Sequence, residues 1–319
     1  MRRSGTPMPH ALLLYGREGI GKLRFAMALA QGALCESPVS GRACGNCPAC
    51  GWMKAGTHPD VRMIEPAALA EPQDEAQPTA KASVRILIEQ IRDLADFINV
   101  AAHRGRAKVV IIHPAEALNP NAANALLKSL EEPPPGASFL LVSHRIHFLL
   151  PTLRSRCRLA ALPAPDAESA TAWLSGQGVS DPALALAHTG NAPLLAAGFA
   201  EKDYWQQRDT FLKSIAARRF DTLAAAESAS DFPLRDVLGW LQKWTFDLVL
   251  QKLLGRLRYN PDRAKEIAAL APGIDPLRVL RYHRELLKLQ PLIEHPLNAR
   301  LLLEELLFEY EAALKSQAA

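Results

Sequence analysis

The chain has 319 residues, enough for two or three domains at about 150 residues each. Apolar residues make up 49% and charged residues 22%, a globular composition, and a net charge of +4 is too small to argue nucleic-acid binding from charge alone. No apolar run approaches about 18 residues, and the segment before Ala11 is polar, so neither a membrane span nor a secretory signal is expected and a cytoplasmic location is.

The first half alternates strand-like and helix-like segments. Ala11 to Tyr15 is a short continuous apolar run followed by turn residues, the pattern of a buried parallel strand. A glycine-rich stretch from Gly16 to Gly21 leads into a helix rich in Ala and Leu from Lys22 to Leu34. Pro66 to Ala82 carries prolines and acids with little apolar content beyond Ala, and reads as a mobile loop. From Val84, apolar residues at Leu87, Ile88, Ile91, Leu94, Ala95 and Ile98 recur with a helical period. Val109 to Ile112 is the next buried strand. Asn119 and Pro120 then supply a cap and a first-turn proline for a helix through Leu126, Leu127 and Leu130, stopped by Pro133, Pro134 and Pro135. Phe139 to Val142 is a further strand. This alternation predicts a parallel sheet covered on both faces.

Leu162 to Pro165 reads as a linker, and beyond it no strand pattern occurs. A short helical segment reaches about Glu201 and a longer all-helical region follows. There Leu238, Leu241, Thr245 and Leu248 share one helix face that Trp240 and Trp244 widen, and Asn298 is placed to cap a final helix through Leu301, Leu302, Glu305, Leu306 and Tyr310. No internal repeat is evident.

Gly16, Gly19, Gly21 and Lys22 fit most of a phosphate-binding loop in the right context, between a strand and a helix. The position that needs a Ser or Thr hydroxyl for Mg²⁺ holds Leu23. The strand ending at Ile112, which should deliver a carboxylate, runs into His113 and Pro114, and Glu116 is expected to point elsewhere. The bland alternative is a glycine turn joining strand to helix. The pattern favours a fold built for ATP hydrolysis that no longer performs it, with ATP or ADP contact through the glycines and Lys22 left open.

Cys35, Cys44, Cys47 and Cys50 have the spacing of a closed four-thiolate zinc shell, with Gly41, Gly45 and Pro48 supplying turns. A redox reading needs one Cys-x-x-Cys pair and leaves two cysteines idle. Four protein ligands leave no open position, so the metal is expected to be structural. His58 is read as a surface or capping histidine rather than a fifth ligand. Ser155-Arg156-Cys157 lies between Arg154 and Arg158 and, taken alone, is a solvated basic patch with Cys157 a small buried hydrophobe.

Three segments together are more specific. Asn124 to Pro134 (Asn-Ala-Leu-Leu-Lys-Ser-Leu-Glu-Glu-Pro-Pro), the Ser-Arg-Cys triplet and the four-cysteine insertion after the loop helix resemble the bacterial sliding-clamp-loader subunits of DNA polymerase III, and among them the delta-prime family. The resemblance runs from about His10 to Asn298–Leu307 and is dense over the first 160 residues. It implies an AAA+ (P-loop NTPase-like) fold: an α/β domain over 1–162 with a zinc module at about 35–50, a helical lid over 163–203 and a helical collar over 204–319, so α/β followed by all-α. It implies a five-subunit ring with gamma or tau and delta subunits, acting on the sliding clamp (beta) indirectly and on primed DNA through the assembly, with no membrane partner. Arg156 would be the finger extended into a neighbour's ATP site, a role suited to an always-charged planar fork. The family's Walker B carboxylates correspond to His113 and Pro114, and its lid arginine to Pro193, departures that favour delta-prime over the motor subunits. Only nine residues precede His10, where the family has a longer leader.

The resulting expectation is a loader subunit with no catalytic activity of its own. One rival is an active clamp-loader ATPase, favoured by Lys22 and the glycines and opposed by Leu23, His113 and Pro114. The other is a zinc-dependent nucleic-acid-binding protein, which should carry more positive charge and more than 6% aromatic residues.

Overall fold

A computed structural model describes residues 9–69, 83–103, 107–199, 202–289 and 298–315. The chain divides into two compact units, Met1–Ala164 and Pro165–Ala319. No helix among the described residues is long and apolar enough to cross a membrane.

The first unit is built on five parallel strands: β1 (Ala11–Tyr15), β2 (Val61–Ile64), β3 (Lys108–Ile112), β4 (Ala137–Ser143) and β5 (Arg158–Ala161), in the order β2-β3-β4-β1-β5. Its helices are α1 (Lys22–Leu34), α2 (Pro48–Lys54), α3 (Ile88–Asn99), α4 (Pro120–Glu131) and α5 (Pro151–Arg156). All five residues of β3 are buried, as a central strand covered on both faces requires. Leu13, Val110, Ile112, Phe139 and Leu141 pack on one face with residues of α3 and α4. On the other face Leu14, Val109, Ile111, Leu140 and Val142 pack with Ala26, Ala30 and Leu34 of α1. Asn119 caps α4 as expected, its Oδ1 accepting the Ala122 N–H at 2.7 Å.

Four elements of the first unit, β2, α2, α5 and β5, go beyond the sequence reading. β2 and β5 are four-residue edge strands; Ile64 is the one fully buried residue of β2 and β5 has none, so neither shows a strand's apolar signature. α5 has six residues, too few for a helical period to register. The helix expected from Val84 starts instead at Ile88. Ser83 folds a turn through the Arg85 backbone, and Ile86 is pulled into extended pairing by its N–H to Ala117 O at 2.9 Å and its carbonyl to the Asn119 N–H at 3.1 Å. Of the loop expected over 66–82, residues 70–82 lie outside the described residues.

The second unit is helical throughout its described residues. α6 (Ala167–Gly176), α7 (Pro182–His188) and α8 (Pro193–Ala197) enclose a small cluster around Leu174, Ala185 and Leu186. A larger core gathers α9 (Lys202–Ile215), α10 (Thr222–Ala229), α11 (Leu234–Leu254), α12 (Ala264–Leu270), α13 (Pro276–Leu289) and α14 (Ala299–Leu314). Leu238, Trp240, Leu241, Trp244, Thr245 and Leu248 of α11 are all buried, so the wide apolar face read from the sequence is the one that packs. Asn298 caps α14 through its Oδ1 and the Leu301 N–H, 3.2 Å apart. Asp247, also buried, accepts the backbone N–H groups of Arg258, Tyr259 and Asn260 and so folds the turn after α11 back onto it.

The indole N–H of Trp244 donates to the Tyr310 hydroxyl at 2.6 Å, and both side chains have no exposed surface. Tyr310→Phe removes the acceptor and leaves a buried donor unsatisfied, at a cost of about 1–3 kcal/mol. Urea unfolding followed by tryptophan fluorescence checks this; an unchanged midpoint would mean that water replaces the hydroxyl.

Candidate functional site

The carboxyl ends of β1, β3 and β4 lie side by side, the position at which open α/β sheets place their chemistry. The glycine loop follows β1. Gly16 has φ +152°, and a Cβ there would stand 2.6 Å from the Leu162 carbonyl oxygen; Gly21, at φ +96°, is the left-handed residue that opens α1. Lys22 is buried at the first position of that helix, and its ammonium donates to the Arg17 carbonyl of its own loop. Burial draws this lysine down to about 8 against the opposing pull of the Glu116 and Glu18 charges. Leu23, at the hydroxyl position, packs against the β-sheet core on the α1 side.

Opposite the loop, β3 ends in His113 and Pro114, and a single turn at Ala115–Ala117 folds Glu116 back. Contrary to expectation, Glu116 does not point away: its Oε1 accepts the His144 N–H at 2.9 Å and its charge acts on Lys22, His113 and His144. His144, just past β4, carried no motif signal. Its Nε2 lies 3.2 Å from that of His113, with the rings edge to face. Burial is the main reason that both imidazoles titrate low, His113 at about 4, with the His144 and Lys22 charges adding to the effect on His113. The residues thus keep a phosphate-loop backbone but do not fit a Mg²⁺–nucleotide centre: Lys22 bonds its own loop, Leu23 replaces the hydroxyl, His113 stands at the strand end where a carboxylate was expected, and Glu116 is engaged by the His144 N–H.

The four cysteines converge. Cys35 ends α1, Cys44 sits in the intervening turn, Cys47 caps α2 and Cys50 lies in its first turn. Their sulfurs all lie within 4.8 Å of one another, with Cys35 Sγ and Cys47 Sγ 3.9 Å apart. A tetrahedral ion with metal–sulfur bonds of about 2.3 Å, such as zinc, needs sulfur–sulfur edges of about 3.8 Å. The Cys44 N–H points at Cys35 Sγ (3.2 Å) and the Cys47 N–H at Cys44 Sγ (3.4 Å), as in a thiolate knuckle. Backbone hydrogen bonds from Glu36 and Cys50 hold the Cys47 thiol down to about 6, while burial pushes Cys50 up to about 11. Gly41 and Gly45 have φ of +80° and +82°, and Gly32 admits the knuckle to α1, because a Cβ there would meet the Gly41 carbonyl oxygen at 2.7 Å. His58 is buried rather than on the surface, but it does cap: its Nδ1 accepts the Asp60 N–H at 3.1 Å.

Arg156 closes α5. Its guanidinium pairs with Glu131 at the end of α4 and donates to Thr152 O at 2.9 Å. Leu153 and Cys157 on either side of it are buried and anchor the segment, and burial raises the Cys157 thiol to about 11. Pro193 is the buried first residue of α8, with no charge to offer a phosphate.

A parallel β2-β3-β4-β1-β5 sheet with a glycine loop after β1, followed by a helical region, is the AAA+ architecture expected above. The family model described as "DNA polymerase III, delta subunit" matches residues 4–166, and "DNA polymerase III, delta subunit, C terminal" matches 202–312. The chain is 39% identical over 280 residues to DNA polymerase III subunit delta′ of Pseudomonas aeruginosa, covering 86% of this chain and 78% of that one. Against the Escherichia coli subunit delta′ it is 34% identical over 277 residues, 85% and 78% of the two chains. Against Escherichia coli subunit tau it is 36% identical over 159 residues, half of this chain and 22% of that one. The chain belongs to the DNA polymerase III delta-prime family.

The histidine pair makes stability depend on pH. Because the folded chain holds His113 near 4 and His144 below the ordinary 6.5, the unfolded chain binds more protons between those values. Stability therefore falls as pH falls through about 6.5 towards 4. A His113→Gln, His144→Gln double variant should flatten that fall. Urea midpoints at pH 7, 6 and 5 check it, and parallel curves for the two proteins would refute it.

Proposed function

We propose that this chain serves as the delta-prime subunit of a DNA polymerase III clamp loader, a non-hydrolysing member of a ring that opens the sliding clamp and loads it at primed DNA. The observation that carries this reading is the family match, which runs through both units. In this reading the partners are gamma or tau and delta subunits in a five-membered ring. The helices over 163–203 act as the lid and those over 204–319 as the collar. The degenerate loop hydrolyses no ATP: Leu23 offers no hydroxyl to a metal, and Lys22 is spent on the Arg17 carbonyl. Gly16, Gly19 and Gly21 then serve to join β1 to α1 rather than to cradle a phosphate. Co-purification with the other loader subunits tests assembly directly.

The metal in this reading is one structural zinc held by Cys35, Cys44, Cys47 and Cys50. The convergence of all four sulfurs supports it over a redox pair, which would use two. Elemental analysis of chelator-free protein should find about one zinc per chain, with the four thiols protected from alkylation until the metal is stripped. Its loss should cost less than the roughly 10–16 kcal/mol seen in zinc-finger peptides, because the sheet folds around its own core. Protein without zinc whose four thiols react freely would overturn the assignment.

Arg156 is the proposed finger for a neighbour's ATP. In the free chain it is held by Glu131, with side-chain exposures of 33% and 47%. An exposed pair of this kind is worth about 0–1 kcal/mol, so a phosphate displaces the carboxylate readily. Arg156→Ala should leave assembly intact and suppress DNA- and clamp-stimulated ATPase at the served site by about 10³-fold or more. Arg156→Lys should rescue poorly, since a point charge cannot reproduce the fork. Glu131→Gln, Arg154→Ala and Arg158→Ala should each stay within about fivefold of wild type, the factor that 1 kcal/mol represents. Equal losses at all three arginines would instead mark a basic patch.

A further inference from the structure

A cavity of about 700 Å³ opens within the helical unit, between the α7–α8 region and the helices α11 and α13. Phe199, Phe246 and Leu287 line its apolar walls. Its charged group is Lys243, on α11. The ammonium lies 2.8 Å from His188 Nε2 and 5.7 Å from the centroid of the Phe199 ring. The same His188 nitrogen is also 2.7 Å from the Tyr204 hydroxyl, so one lone pair of a fully buried imidazole is shared between two donors.

Lys243 is therefore held by neutral groups. Among the described residues it forms no ion pair, and none of the residues lining the cavity is acidic. Asp236, two turns earlier on α11, acts on it from a distance, and the Arg208 charge opposes that pull. Burial with this surplus of positive charge lowers the lysine to about 8, which still leaves it charged at neutral pH. A half-buried cation with no contacting counter-ion is relieved by an anion. The volume lies within the roughly 300–1,000 Å³ that small-molecule sites occupy.

We propose that this cavity binds a small apolar carboxylate, with its anionic head on Lys243 and its hydrocarbon body against Phe199, Phe246 and Leu287. Charge complementarity with Lys243 selects an anion, and the apolar walls select a compact hydrocarbon body. Neither depends on the clamp-loader reading.

Calorimetric titration of the full chain with 1-naphthoate, set against the neutral isostere 1-naphthalenemethanol, tests it. The acid should saturate one site and bind at least about tenfold tighter than the alcohol. Lys243→Met should reduce the acid to the affinity of the alcohol, Lys243→Arg should keep the preference, and Phe246→Ala should weaken both ligands. If Lys243→Met does not fold, Lys243→Gln carries the same comparison. Equal affinities for acid and alcohol, no saturable binding of either, or a preference that survives loss of the lysine charge would each overturn the proposal.

Discussion

Burying Lys22 sets the terms for everything around the glycine loop. A lysine buried at the first position of α1 lies in a low-dielectric corner within reach of the Glu116 and Glu18 charges, where its own charge must be met or relinquished. In a nucleotide-binding protein a phosphate would meet it. Here the Arg17 carbonyl takes the ammonium and Glu116 supplies the countercharge, while the two imidazoles beside it stay neutral. The corner is thus satisfied from within the chain. Every substitution that removes hydrolytic chemistry also removes a reason for the corner to stay open: Leu23 joins the core, and His113 and His144 contact each other across the crevice.

Two further features hang from this frame at opposite ends of helices. The cysteine knuckle is fixed by the end of α1 and the start of α2, so its position follows from the same helix that carries Lys22. Arg156 is fixed by the end of α5, clamped between buried Leu153 and Cys157. Neither feature depends on the state of the glycine loop. The packing that positions the four cysteines and Arg156 is therefore set by helix ends, whatever the glycine loop holds.

The sequence made most of this legible, and the gaps have physical causes. Continuous apolar runs announced β1, β3 and β4, because strands buried on both faces leave no room for polar residues. The edge strands β2 and β5 bury too little to show, and α5 is shorter than two turns. The four cysteines were plain from spacing alone. Glu116 and His144 were not, since their meeting depends on two neighbouring strands ending together and on one tight turn after Pro114. Val84 and Leu87 mark the limit of periodicity as a guide: both fit the helical pattern of the segment that follows, yet Leu87 is extended and Ile86 between them pairs its backbone with Ala117 and Asn119. Lys243 also escaped notice, because a lysine on an apolar helix normally reaches water with its head.

The partner that holds Arg156 is informative about its proposed role. A residue that must reach into a neighbour's site should be ordered before it arrives, since ordering a long side chain costs up to about 2 kcal/mol of rotamer freedom. It should not be held so firmly that leaving costs more than arriving returns. Glu131 satisfies both conditions. It sits at the end of α4, the guanidinium donates a second bond to the Thr152 carbonyl, and both charged side chains remain partly in water. A fully buried carboxylate in its place would trap the arginine, because breaking such a pair costs about 3–5 kcal/mol. Open water in its place would leave the side chain disordered. An exposed ion pair at the end of a rigid helix lies between these extremes, and its weakness is what the proposed exchange of Arg156 onto a phosphate requires.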